Sequence, residues 1–134
     1  MITTTSQRIF KRAILICGGR DFTDKSLLDA TLSELFETFN PSETLVIVGD
    51  ANGADALAAQ WALKNWYSIS RHYADWDAHG RSAGPKRNSE MVAELMQYED
   101  RRCIAFPGGT GTADTVSKCK QRNVKVKQIK GSKR

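Results

Sequence analysis

Two histidines and three cysteines in 134 residues leave little material for a metal site or a disulfide framework. Cys17, Cys103 and Cys119 form no C-x-x-C pair, and their odd number fits a reducing compartment. Each reads as a small buried hydrophobe, and neither a metal nor a cofactor is expected. No apolar run approaches the ~18 residues that span a bilayer. The longest strand-like run, Ala13 to Cys17, has five. Residues 1–7 are polar and rich in Thr, without a secretory apolar stretch, so the expectation is a cytoplasmic protein with no membrane partner. Acidic residues are missing from 118–134, where eight Lys and Arg fall. The first 117 residues hold the other 12 basic residues and all 15 acidic ones, so the net charge of +5 describes one end of the chain. That end is either a solvated tail or an anion contact.

What is present argues for a folded domain. A 40% hydrophobic share is too high for a disordered chain, and the length supports one core. The expectation is a single domain over 1–134, with its core at about 12–128 and flexible ends at 1–11 and 130–134. Ala13 to Cys17 and Thr44 to Gly49 read as strands buried on both faces, each running into glycine. Between them, Leu28, Leu32, Leu35, Phe36 and Phe39 form a helical stripe that Thr23 or Asp24 can cap. Ala54, Leu57, Ala58, Trp61 and Ala62 form a second helical stripe. A short strand near Ser68 to Tyr73 follows. Residues 75–85 show no periodicity and read as a long loop of the kind that carries function. Lys86 to Tyr98 reads as a helix, Arg102 to Phe106 as a strand, and 110 to about 122 as another helix. Val124, Val126 and Ile129 alternate with Lys and Gln, which suits an edge strand.

Alternating strands and helices predict an α/β, Rossmann-like doubly wound parallel sheet of about five strands with helices on both faces. In the common layout the fourth strand returns beside the first. A crevice then opens between their C-terminal ends. The turns at Gly18-Gly19 and Gly108 to Gly111 fall at those two ends.

Pro107-Gly108-Gly109-Thr110-Gly111-Thr112 opens a helix, where bare backbone and free amides favour phosphate. It is neither a Walker A sequence nor G-x-G-x-x-G. Gly18, Gly19, Arg20 and Asp21 follow the first strand; Arg20 can fork onto phosphate, or Arg20 and Asp21 can pair on the surface. Gly49, Asp50, Gly53, Ala54 and Asp55 follow the second strand, with Asp55 either stabilising the helix start or meeting a ligand. Lys86, Arg87 and Asn88 lie near a helix N-terminus, where cations oppose the dipole unless an anion is bound. Trp61 lies on an apolar stripe and reads as core. Trp76, in the long loop, is the better candidate to stack on a base. His79 is an acid–base group or plain polar surface.

Gly18 to Phe22, Gly49 to Asp55, Ala83 to Asn88 and Ala105 to Thr112, in that order along roughly residues 12–128, resemble the SLOG superfamily, particularly its small YspA/YpsA-related branch common in bacteria and phages. The resemblance implies a Rossmann-like fold that binds nucleotides or nucleotide-derived ligands, including ADP-ribose derivatives and cyclic nucleotide signals. It also implies homo-oligomers, dimeric or tetrameric, in which an apolar area such as Trp61/Trp66 could form the contact. In the related "lonely guy" phosphoribohydrolases, an Arg corresponding to Arg87 works with a Glu that corresponds to Thr115 here. Asp114 is adjacent, but one helical residue turns a side chain by ~100°. The resemblance therefore implies an intact phosphate site and a missing catalytic carboxylate.

The leading expectation is a binder of a nucleotide-derived small molecule, a sensor or a sequestering sponge that performs no turnover. A nucleotide N-glycosidase, with Asp114 and Arg87 as its catalytic groups or with Asp21 or Asp55 as the carboxylate, is the alternative. Single-stranded nucleic-acid binding through the basic end and Trp76, as in the related DprA proteins, is the third.

Overall fold

The computed structural model describes residues 10–131; of the ends expected to be flexible, 1–11 and 130–134, residues 1–9 and 132–134 lie outside them. Five parallel strands form one sheet in the order β3-β2-β1-β4-β5: β1 (Arg12–Cys17), β2 (Thr44–Val48), β3 (Ser68–Arg71), β4 (Asp100–Ala105) and β5 (Lys125–Gln128). All four strand pairings are parallel, with Ile14 opposite Val46 on one side and Arg102 on the other. The α/β, Rossmann-like reading of the sequence is therefore correct, including the return of β4 to the side of β1.

The central strands alternate their side chains between two cores, as the strand repeat requires. Ile14, Ile16, Val46, Val48, Ile104 and Phe106 meet α1 (Lys25–Leu35) and α2 (Ala54–Lys64) through Leu28, Leu32, Phe36, Ala58 and Trp61. Ala13, Leu15, Cys17, Ile47, Cys103 and Ala105 meet α4 (Ala83–Leu95) and α5 (Thr110–Gln121) through Met91, Leu95, Val116 and Cys119. Trp61 is core: its ring stacks on Tyr67 at 5.5 Å and edges onto Phe36 at 5.0 Å. The three cysteines are buried free thiols. A hydrogen bond to Cys103 together with burial holds the Cys119 thiol far above its ordinary value. Phe10 packs on the second core, and the Lys11 amide donates to the Glu43 carbonyl at 2.8 Å.

The long loop expected at 75–85 is mostly helical. A short helix, α3 (Trp76–His79), starts on Asp75, whose carboxylate accepts from the Ala78 amide at 3.1 Å. A 3-10 turn over Gly80–Ser82 leads into α4, which begins at Ala83 rather than at Lys86. Four residues are too few for a periodic signal, so only the Asp75 cap was available to mark this helix. Among the described residues, no helix is long and apolar enough to cross a membrane.

Candidate ligand crevice

Three strand-to-helix loops are sewn together by backbone hydrogen bonds at the C-terminal edge of the sheet. The Gly19 amide donates to the Pro107 carbonyl at 2.9 Å, and the Gly19 carbonyl accepts from the first amide of α2, at Ala54, at 3.0 Å. The fit leaves no room for side chains. A Cβ on Gly108 would lie 2.1 Å from Thr112 Oγ1 and 2.7 Å from the Gly19 nitrogen. Gly53 has φ +77° and faces the Gly19 carbonyl, a conformation that favours glycine.

Above this floor lies a crevice of about 1370 Å³. It brings together most of the residues that the sequence nominates. Gly18, Gly19, Arg20 and Asp21 line one wall, and Pro107, Gly108, Gly109, Thr110, Gly111 and Thr112 line the other. Asp55, Trp76, Arg87, Asn88 and Asp114 complete it. No ion pair joins Arg20 to Asp21 among the described residues, and both are exposed. Gly49, Asp50, Gly53 and Ala54 do not line the crevice; they support residues that do. Lys86 is exposed and lies outside the lining, as does His79.

Charge on the inner wall is organised around Arg87. Its Nη1 donates to Asp50 Oδ1, and its Nε donates to Asn88 Oδ1 at 3.0 Å. Asp50 uses its other oxygen to accept from the Ala74 amide at 3.3 Å. Because α4 starts at Ala83, Arg87 lies past its first turn, where the expected dipole conflict has faded, and Asp50 supplies its counter-charge, a role that spacing along the sequence did not reveal. Gly49 makes the meeting possible, because a Cβ there would fall 2.7 Å from Asp55 Oδ2 and 3.0 Å from Arg87 Nη1. The Gly49 carbonyl also accepts from Arg71 Nε at 2.9 Å.

Asp55 is 5% exposed. Burial raises its carboxyl from the ordinary 3.8 to about 6, against the lowering pull of the Ala51 amide, Arg87 and Arg71. Asp114 is differently held. Its Oδ2 accepts from Lys118 Nζ at 2.6 Å and from Asn88 Nδ2 at 3.0 Å. The Thr115 hydroxyl donates back to the Gly111 carbonyl at 3.3 Å. The first turn of α5 carries no side-chain cap. A Cβ at Gly109 or Gly111 meets nothing within 4 Å, so these two glycines are not demanded by the protein's own packing.

The chain matches the YspA, cpYpsA-related SLOG family over residues 12–79. It belongs to that family. It is also 33% identical over 123 residues to the gene 61 protein of Mycobacterium phage D29, covering 86% of this chain and 94% of the phage protein. Among solved structures it is similar to DNA processing protein A (DprA) of Streptococcus pneumoniae, with a TM-score of 0.53 and 16% identity over 90% of this chain. The similarity spans 59% of the DprA chain, and at that identity it speaks to the fold alone. The resemblance drawn from the four sequence motifs is therefore correct at the level of family and fold.

Proposed function

We propose that this SLOG-family protein binds a nucleotide-derived, phosphate-bearing small molecule and does not turn it over. The open backbone at Gly109 and Gly111, on an uncapped helix start in the crevice that Arg87 also lines, carries this reading. Packing explains Gly108 and Gly53, but it leaves these two glycines without a purpose. A phosphate seated on the first amides of α5 supplies one. Trp76, half-exposed on the crevice wall, offers a ring face to a base.

The absence of turnover is supported by the state of the carboxylate beside the hydrolase position; Asp21, exposed in the crevice, belongs to the alternative reading. Glycoside cleavage needs a carboxylate free to stabilise positive charge at the sugar. Asp114 is committed to Lys118 and Asn88, and Thr115 stands where the related hydrolases carry Glu. A binder without turnover acts as a sensor or as a sponge that lowers the free concentration of a signal, such as an ADP-ribose-type or cyclic nucleotide. Self-association through exposed Trp66 and Leu63 belongs to the same proposal; Trp61 is buried and takes no part.

The test is to incubate the protein with a panel of nucleotides, ADP-ribose and cyclic nucleotides, then analyse the filtrate and the heat-released material by liquid chromatography with mass detection. A compound depleted from the filtrate and recovered intact supports the reading. A released base or ribose phosphate overturns it in favour of the glycosidase alternative.

A further inference from the structure

Asp55 stands where a carboxylate is costly to keep. It lies in the first turn of α2, and a helix start gains from an acidic side chain. An exposed one would serve the helix as well. This one is buried and lines the crevice, and burial disfavours its charged form. Its Oδ2 accepts from the Ala51 amide at 3.1 Å, the only hydrogen bond it makes among the described residues. No fully buried side-chain nitrogen or oxygen among those residues lacks a partner. Oδ1 is therefore not sealed into the protein. It opens on the crevice as an unused acceptor.

A donor stands beside it. A Cβ on Gly49 would lie 2.7 Å from Asp55 Oδ2 and 3.0 Å from Arg87 Nη1, so the two groups approach one point. Arg87 spends Nη1 on Asp50 and Nε on Asn88, which leaves Nη2 uncommitted. An anionic acceptor next to a cationic donor suits two neighbouring hydroxyls. One hydroxyl gives its proton to the carboxylate, and the other accepts from the guanidinium. A phosphate is repelled by this carboxylate and has its own seat at the start of α5. The base has the ring of Trp76. The sugar is the part of a nucleotide that remains, and it lies between those two parts.

We propose that Asp55 reads the ribose of the ligand, accepting from one hydroxyl of the 2′,3′-diol while Arg87 donates to the other. The crevice is then selective for ligands that carry the diol. This rests on the nucleotide-binding reading above and adds a sugar specificity to it. A site built to bond a hydroxyl rejects an analogue without it strongly, because the buried acceptor is left unpaired.

Calorimetric titration at pH 8 tests the proposal, using ADP and 2′,3′-dideoxy-ADP with the parent and with Asp55→Asn. The parent carboxyl, raised to about 6, is ionised at that pH. In the variant the Ala51 amide holds the carboxamide oxygen, so the new NH2 group faces the crevice. Donors then stand on both sides of the diol, and its protons find no acceptor. The substitution keeps the shape and removes a buried charge, so thermal melting at pH 8 should not fall. The parent should bind ADP at least about tenfold more tightly than the dideoxy compound, and the variant should bind the two within about threefold of each other. Equal affinity of the parent for both compounds overturns the ribose assignment without need of the variant, and leaves the nucleotide reading standing. A variant that keeps the parent's preference does the same. No binding of either compound by the parent overturns both.

Discussion

Arg87 donates through Nη1 to the carboxylate of Asp50; the arginine lines the crevice, the aspartate lies behind it, and most of the pair's surface is covered. The arginine is therefore positioned before any ligand arrives. Replacing Asp50 by Ala leaves a half-buried guanidinium with one partner fewer. That should lower stability by about 1–3 kcal/mol, read by urea unfolding. Arg87→Ala should abolish nucleotide binding measured by calorimetry. Arg87→Lys should not restore it, because Lys cannot reproduce the fork that reaches Asp50 and Asn88 together.

Gly108 and Gly109 are neighbours with opposite expectations. Gly108→Ala drives a Cβ against Thr112 and the Gly19 amide and should destabilise the fold by about 1–3 kcal/mol. In Gly109→Val the Cβ meets nothing within 4 Å, and there is no positive φ to strain it. Its unfolding free energy should stay within about 0.5 kcal/mol of the parent. Its affinity for a phosphate-bearing nucleotide should fall by at least about tenfold. Full affinity in Gly109→Val would remove the ligand from this helix start.

Asp55 makes stability depend on pH in an uncommon direction for an aspartate. Its folded value of about 6 exceeds the ordinary 3.8, so the folded state holds more protons between those two values. Stability from this group therefore falls as pH rises from about 4 to about 6 and changes no further above that. The full contribution is about 3 kcal/mol by the size of the shift. The difference in unfolding free energy between the parent and Asp55→Asn should show this slope. A difference that is flat across that window would place the carboxyl in a more aqueous setting.

Trp76 reports on the crevice, while Trp61 is buried in the core and Trp66 stands in solvent. Nucleotide binding should quench or shift tryptophan emission, and Trp76→Phe should remove that response. Ribose 5-phosphate, which lacks a base, should bind without it. A response that survives in Trp76→Phe would assign the signal to a different ring.

Much of this was legible in the sequence because its signals are short and local. Apolar runs of five and four residues that end in glycine gave β1 and β2, and the clustered glycines gave the crevice rims. Asp50 as the partner of Arg87 was not legible, since 37 residues separate them and only the parallel pairing of β1 with β2 and β4 brings their helices and loops together. Asn88 was noted for its place beside Arg87. Its link to Asp114 and to the Gly111 carbonyl, at 3.0 and 3.3 Å, depends on how α4 packs on α5.

The bond from the Gly19 amide to the Pro107 carbonyl has a kinetic consequence. It joins the two walls at their base, and Gly19 is joined in turn to the first turn of α2. These bonds hold the base of the two walls in register, so a ligand meets a cradle that is already shaped. Capture should then follow a single exponential whose rate rises linearly with ligand concentration, without the plateau that a slow closing step imposes. Discrimination among ligands would reside in how long each one stays.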